Sequence, residues 1–239
     1  MKRQKLSQKA MLVSFEVSIW SARCKDDRVT AEVAEKYNSD KAMGTFTKKL
    51  APKEALAELR KLRAHMKKFH KEQTLPWDDR FNRVLLASNF DSYSRHMRVF
   101  RAHYESLVDD CVAGYPSVIE EGRAKLNGLF NEQDYPDPSE IGESFGVKLE
   151  ISPFPEASDF RVQLQEEEIE AIREDIASRM DSAVKYAMQD VWSRLFQQVQ
   201  RMAERLKDLD EPIRWDYVAD LRSLLDILPR LNLTGSKEL

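Results

Sequence analysis

Residues 86–111 decide the fold class of this chain, and they read LASNFDSYSRHMRVFRAHYESLVDDC. Apolar residues recur here at alternating steps of four and three, at Leu86, Phe90, Tyr93, Met97, Phe100, Tyr104, Leu107 and Cys111. This spacing places them along one side of an α-helix for roughly 40 Å, at about 1.5 Å per residue. Because so long an apolar stripe must be covered, the stretch predicts a long helix that packs against other helices.

Three further stretches predict helices. Residues 53–73 repeat the four-three spacing at Ala55, Leu59, Leu62, Met66 and Phe69. Residues 166–208 carry an apolar residue at every eleventh position, at Ile169, Met180, Val191 and Met202, which is typical of one long helix. A last amphipathic helix is expected between the prolines at 212 and 229. We expect the helix over 86–111 to end or kink at Gly114-Tyr115-Pro116, because proline has no backbone N–H to donate.

Strand periodicity is confined to short stretches. Phe15, Val17 and Ile19 alternate with polar residues, and a weaker strand is predicted over 29–33, so an N-terminal β-hairpin is expected. Apolar residues also alternate over 147–151 and 160–164, which predicts two short strands joined by a proline-bearing loop.

The predicted fold class is therefore mainly α with a small β element. We expect a long antiparallel helical hairpin or bundle, coiled-coil-like, together with a small antiparallel sheet of about three or four strands. The segments are an N-terminal hairpin and loop over 1–51, a helical hairpin arm over 52–130, a loop and two short strands over 131–165, and the long C-terminal helix and final helix over 166–239. We interpret them as one continuous domain.

Composition limits the class of protein. The chain has only seven glycines in 239 residues, which fits long helices and argues against a doubly wound nucleotide-binding fold. No apolar run approaches the length of a membrane span, and the start of the chain lacks an apolar targeting segment. Its two cysteines do not form a disulfide framework. We therefore expect a cytoplasmic protein that does not bind membranes.

Charge is divided unevenly along the chain. Residues 1–103 carry 23 Lys and Arg against 12 Asp and Glu, whereas residues 104–239 carry 15 against 29. This asymmetry fits a basic surface for nucleic acid or an acidic partner. It equally fits pairing of the two parts with each other.

The candidate site residues are basic. One face of the helix predicted over 53–73 carries Arg60, Arg63, Lys67 and Lys71. The helix predicted over 86–111 carries a second cluster, Arg95, Arg98 and Arg101. A row of cations can follow a phosphate backbone, so these residues are the candidate nucleic-acid or acidic-partner surface. The alternative is a solvated helix face, or one paired with acids. No metal-ligand spacing, phosphate-binding loop or nucleophile–base pair is present, so no metal, cofactor or catalytic residue is predicted.

Two stretches carry a resemblance to a known family. Residues 75–104 read LPWDDRFNRVLLASNFDSYSRHMRVFRAHY, and residues 131–162 read NEQDYPDPSEIGESFGVKLEISPFPEASDFRV. The matching pieces are Tyr135-Pro136, Pro153-x-Pro155 and Asp159-Phe160-Arg161. This sequence resembles a family of bacteriophage and integrative-element proteins that has no catalytic signature, and the resemblance covers nearly the whole chain. Its members are encoded near chelatase-type AAA+ ATPases, von Willebrand factor A-type proteins and sometimes recombination genes.

The resemblance implies a mobile-element protein that acts in the host cytoplasm, as an adaptor in an ATPase-linked or DNA-processing assembly. It assigns no site residue. Together with the helical seams, it leads us to expect a non-enzymatic scaffold that binds another protein, either an AAA+ ATPase or a host protein. The alternative is a protein of phage DNA metabolism that binds single- or double-stranded nucleic acid through the basic residues of 60–101. Self-association is left open.

Overall fold

The computed structural model describes residues 6–77, 82–154, 166–206 and 215–233. The helices are α1 (Asp27–Lys36), α2 (Ala57–Gln73), α3 (Phe90–Leu126), α4 (Glu166–Leu206) and α5 (Trp215–Leu231). The strands are β1 (Ala10–Ser18), β2 (Arg23–Lys25), β3 (Thr47–Lys49), β4 (Leu75–Pro76), β5 (Asn82–Leu86) and β6 (Gly146–Pro153). The predicted class, mainly α with a small antiparallel β element, is confirmed.

The strands form two sheets. One has four strands in the order β4-β5-β1-β6, and the other pairs β2 with β3. In the larger sheet, β1 runs antiparallel to β5 with Ala10 opposite Leu86 and Ser14 opposite Asn82. Strand β6 corresponds to the strand predicted over 147–151, and the strand predicted over 160–164 lies outside the described residues.

The chain divides into two compact units. Unit 1 comprises Met1–Phe15, Lys67–Met97 and Lys148–Leu239, and unit 2 comprises Glu16–Met66 and Arg98–Val147. Each unit therefore draws on separate stretches of the chain.

In unit 1, the four-stranded sheet packs against helices on both of its faces. Its apolar cluster joins Ala10, Val84 and Leu86 of the sheet to Val191 of α4 and Leu228 of α5. On the opposite face of β1, the ring of Phe15 lies 5.2 Å from that of His70 on α2. This alternation follows from the strand period of two, since neighbouring side chains point to opposite faces.

Side chains satisfy the last carbonyl groups of α2 in unit 1. Thr74 donates to the backbone oxygen of residue 70 at 2.5 Å, and Arg83 donates to that of residue 71 at 3.3 Å. Arg194 donates to the backbone oxygen of residue 72 at 3.2 Å, and Asn89 donates to that of residue 73 at 3.1 Å. The end of a helix leaves such carbonyls without intrahelical partners, and a positive charge there is favoured by the helix dipole. These bonds fix α2 to β5 and α4 within the unit.

In unit 2, buried tyrosines bind backbone carbonyl groups. Tyr104 and Tyr115 of α3 donate their hydroxyl protons to the carbonyls of Ser18 and Pro136, and Tyr135 donates to that of Leu50 at 3.0 Å. All three tyrosines are buried. A buried tyrosine needs such a partner for its hydroxyl group, so Tyr104 and Tyr115 also fix the chain segments that pack on α3.

The predicted start of the seam helix was wrong, and of the two outcomes expected at Pro116, an end or a kink, the end was wrong. Leu86 belongs to β5, so α3 begins only at Phe90, and the helix continues past Pro116 to Leu126. An interior proline costs a helix about 3 kcal/mol. Tyr115, the residue immediately before Pro116, holds α3 in place there through its contacts. Its ring lies 5.4 Å from that of Trp20, edge to face. Pro229, which was expected to end the last helix, likewise lies inside α5. Pro212, which was expected to begin that helix, lies outside the described residues.

The predicted N-terminal β-hairpin was also wrong. Residues 29–33 belong to α1, where the Asp26 carboxylate accepts a hydrogen bond from the Val29 N–H at 3.0 Å and caps the helix. This capping outweighs the strand preference of Val29 and Thr30. The neighbours of β1 in the sheet are β5 and β6, which both lie far along the chain.

Candidate functional site: a basic pocket and an aromatic helix face

The structure places the seven predicted cations in both units. Unit 1 holds Lys67, Lys71 and Arg95, all exposed. Unit 2 holds the half-buried Arg60 and Arg63 and the exposed Arg98 and Arg101. The predicted set is therefore not confined to one unit.

Only Arg101 of this set has an ion-pair partner among the described residues. Its Nε atom lies 3.3 Å from Glu105 Oε1, and its guanidinium donates to the Val147 carbonyl at 3.1 Å. Within the described part of the chain, the other six form no ion pair with an acid. The described residues thus offer no support for pairing of these six with the acidic second half.

Unit 2 contains a basic pocket that brings Arg60 together with four other cations. The cavity has a volume of about 560 Å³. Its positively charged side chains come from five places in the chain: Arg23 of β2, Lys49 of β3, Lys53 of the turn before α2, Arg60 of α2 and Lys125 of α3. Among the described residues that line the pocket, Glu121 is the one carboxylate. We call this set of residues the basic pocket.

The charges of the basic pocket are only partly balanced. Lys125 pairs with Glu121 one helical turn away, and the hydrogen bond that the Lys125 ammonium donates to that carboxylate raises the pKa of Lys125. Arg23, Lys49, Lys53 and Arg60 have no ion-pair partner in the parts of the chain that the structure covers. In the register of the small sheet, Arg23 also lies directly opposite Lys49. Like charges at such a position destabilise a sheet.

A tightly fixed backbone forms the floor of the pocket. Ala22 has a positive φ of 53°, and its carbonyl accepts a hydrogen bond from the Leu50 N–H at 2.9 Å. A non-glycine residue in this conformation is strained. The Leu50 carbonyl in turn accepts from Tyr135, whose hydroxyl oxygen would lie 2.0 Å from a Cβ atom at Gly122. Only glycine therefore allows α3 to pass at this distance.

Helix α4 of unit 1 exposes an apolar face. Trp192, Phe196 and Val199 are 46, 69 and 50% exposed. They are spaced at i, i+4 and i+7, so they lie on one side of the helix. The buried residues Ala187 and Val191 lie on another side. We call Trp192, Phe196 and Val199 the α4 aromatic face.

The buried charged cluster around Lys48 is structural. Lys48 of unit 2 is 5% exposed. Its Nζ atom lies 3.0 Å from Asp26 Oδ2 and 2.5 Å from Asp134 Oδ2, and it donates to the Leu129 carbonyl. Burial acts to lower the pKa of Lys48, but the bonds to Asp134 and Asp26 outweigh it and raise that pKa. The amine therefore stays protonated and cannot act as a nucleophile.

The buried histidine of unit 1 is equally inert. His70 Nδ1 lies 2.7 Å from the Tyr93 hydroxyl oxygen. Burial, helped by the nearby charge of Arg83, lowers the pKa of His70 to about 4. The imidazole is neutral at physiological pH, and its 6% exposure leaves no room for a substrate.

Sequence reasoning found Arg60 but missed the rest of the basic pocket and the α4 aromatic face. Arg23, Lys49 and Lys53 share no helix with Arg60, so no periodicity links them. The aromatic face did leave a signal, because Trp192 and Phe196 lie outside the eleven-residue repeat that predicted α4.

The described residues contain no group of three or more His, Cys, Asp or Glu placed to hold a metal ion. None of the described helices is both long and apolar enough to cross a membrane. Comparisons of this chain with protein-family models, curated proteins and solved structures found no match.

Proposed function

We propose that the protein is a non-enzymatic scaffold or adaptor that binds another protein through the α4 aromatic face. The observation that carries this proposal is the exposure of Trp192, Phe196 and Val199 on one side of a 41-residue helix. Tryptophan is among the residues that most often dominate binding energy at protein interfaces. Anchors at i, i+4 and i+7 are the pattern by which a helix fills an apolar groove of a partner.

The chemistry around the face indicates the kind of partner. Between Tyr186 and Ala203 the acidic residue is Asp190, and its carboxylate already pairs with Arg194. The face is therefore bordered mainly by uncharged polar residues, which favours a partner with an apolar groove over a charged one. Following the family resemblance, we propose a cytoplasmic partner, either an AAA+ ATPase or a host protein.

We also propose that α2 and α3 form the long antiparallel helical arm expected from their seams. Contacts within each unit support it. In unit 1, the Phe69 ring stacks 6.0 Å from that of Tyr93, and in unit 2, the His65 ring lies 5.3 Å from that of Phe100. Residue numbers fall along one helix as they rise along the other, as in antiparallel packing.

A crosslinking experiment tests the protein-binding proposal. The wild-type protein and a Trp192→Ser/Phe196→Ser double variant are expressed in cells of the natural host, and crosslinked partners are identified by mass spectrometry. We expect the double variant to keep the wild-type circular dichroism spectrum and to lose its main crosslinked partner.

Tyr37→Ser provides the matched control, because Tyr37 is 71% exposed and lies in unit 2. It should leave crosslinking unchanged. A partner that crosslinks equally to the wild type and the double variant would refute the assignment of this face.

Nucleic-acid binding is the second candidate function, and the absence of acidic partners for six of the predicted cations in the described residues favours it. The test is a mobility-shift titration of single- and double-stranded DNA at two salt concentrations. Binding through phosphates weakens steeply as salt rises. Lys67→Glu/Lys71→Glu should abolish the shift, whereas Lys36→Glu/Lys41→Glu, with the same change of charge, should reduce it only slightly. If no shift occurs at low salt, this candidate is wrong.

A further inference from the structure

We propose that the basic pocket of unit 2 binds a small polyphosphate compound. Four cations that have no ion-pair partner among the described residues surround one cavity: Arg23, Lys49, Lys53 and Arg60. They come from different elements, so the fold itself brings them together. A row along a single helix could be an accident of surface composition, but convergence from separate segments is not explained in that way.

The arrangement has a cost that a bound anion would remove. Arg23 and Lys49 face each other in the antiparallel register, and both side chains are exposed at the pocket. Their repulsion disfavours the folded state, since like charges at opposed positions destabilise a sheet. An anion between them turns this repulsion into two favourable interactions, because guanidinium and ammonium groups both donate charge-assisted hydrogen bonds to phosphate oxygens.

The pocket is prepared for a ligand before it binds. Ala22 is held at a strained φ of 53° by the hydrogen bond from Leu50, and the Tyr135 hydroxyl group fixes the Leu50 carbonyl from the other side. Strained backbone of this kind tends to cluster at ligand sites. A fixed floor reduces the entropy that binding must remove.

Size and lining decide the class of ligand. A volume of about 560 Å³ lies within the range of roughly 300–1,000 Å³ that is usual for small-molecule sites. Four uncompensated positive charges call for a ligand with several negative charges, which a chain of phosphates supplies. Leu50, Pro52 and Leu126 form an apolar part of the wall, and this part can hold an organic group attached to the phosphates.

Isothermal titration calorimetry at 20 and 150 mM NaCl tests the proposal with two probes, inorganic triphosphate and ATP. We expect binding at low salt that weakens at high salt. Tighter binding of ATP would assign the apolar wall to an organic group, and equal binding would assign the site to the phosphate chain alone. Lys49→Gln/Lys53→Gln should weaken binding at least tenfold. Lys36→Gln/Lys41→Gln removes the same charge from exposed positions of unit 2 and should change the affinity less than twofold.

A second measurement does not depend on the ligand. Without polyphosphate, Lys49→Gln/Lys53→Gln should melt at the same or a higher temperature than the wild type, because the repulsion is relieved. With polyphosphate, only the wild type and the control variant should gain thermal stability. The proposal fails if neither probe binds at 20 mM NaCl, or if the two double variants lose affinity equally. It also fails if a single-stranded oligonucleotide binds, Lys49→Gln/Lys53→Gln weakens that binding, and triphosphate does not displace the oligonucleotide, since the cations of the pocket would then serve nucleic acid.

Discussion

The two units bury polar side chains in opposite charge states. In unit 2, the protonated Lys48 lies between the carboxylates of Asp26 and Asp134. In unit 1, the neutral His70 is bonded to the Tyr93 hydroxyl group, and the positive charge of Arg83 acts on it. Burial alone opposes charge at both places. The difference teaches that the neighbours decide: a buried base keeps its proton where carboxylates compensate the burial, and loses it where burial, the larger cause, is reinforced by a cation.

The largest expected effect comes from breaking the charged cluster. Lys48→Met leaves Asp26 and Asp134 without their shared partner, and these carboxylates are only 8 and 13% exposed. Removing one member of a buried ion pair costs about 3–5 kcal/mol of the free energy of unfolding. Urea denaturation of the variant at pH 7 measures this loss.

Lys61→Met is the control, because Lys61 forms an exposed pair with Glu58 on α2, and such pairs contribute about 0–1 kcal/mol. Combining Lys48→Met with Asp26→Asn and Asp134→Asn should recover part of the lost stability, since no charge then remains buried. Equal losses for Lys48→Met and Lys61→Met would show that the cluster is not a stabilising one.

The neutral histidine should make unit 1 sensitive to acid. The pKa of His70 is about 4 in the folded chain, against 6.5 for the free side chain. Between these values only the unfolded chain takes up the proton, so stability falls as the pH drops from 6.5 to 4, by about 3 kcal/mol in total. Urea denaturation at several pH values measures the slope.

His70→Gln should flatten this part of the pH profile even though it lowers stability throughout. His103→Gln replaces an exposed histidine of α3 and should leave the slope unchanged. A slope that survives in His70→Gln would assign the pH dependence to other groups.

The smallest effect concerns two glycines of the same helix. Gly122→Ala places a Cβ atom 2.0 Å from the Tyr135 hydroxyl oxygen, and overpacking of this kind costs about 1–3 kcal/mol. At Gly114 a Cβ atom meets nothing within 4 Å, so Gly114→Ala should stabilise α3 by about 0.5–1 kcal/mol. Thermal denaturation compares the two variants.

Adding Tyr135→Phe to Gly122→Ala should restore part of the lost stability. Equal melting temperatures for Gly122→Ala and Gly114→Ala would contradict the close approach of α3 to Tyr135.

The parts of the fold that could be predicted depend on contacts near in sequence. The spacing of Leu59, Leu62 and Met66 predicts a helix because each residue lies within four of the next, and the three are buried on α2. The pairing of β1 with β5 joins Ala10 to Leu86, and no local pattern encodes a partner so far along the chain. At Val29 and Thr30 a local pattern was present but led to the wrong element. Their strand preference predicts a strand, but the Asp26 carboxylate caps a helix there and outweighs that preference.

The candidate sites show the same limit. Arg60 was predicted as one of a row along α2, yet the basic pocket that it lines also needs Arg23 and Lys49, which the pairing of β2 with β3 places opposite each other. For the α4 aromatic face, the helix could be predicted, but which side is covered is decided by α5 and the sheet. Exposure of Trp192 is therefore a property of the folded unit rather than of its own helix.

The division into units has a consequence for how this chain can change. Strands β1 and β6 and helices α2 and α3 each contribute residues to both units. A genetic crossover between two related genes anywhere between residues 16 and 147 therefore combines residues from both parents within unit 1 and within unit 2. The buried partners of both units therefore stay together only when residues 16–147 are inherited as one piece.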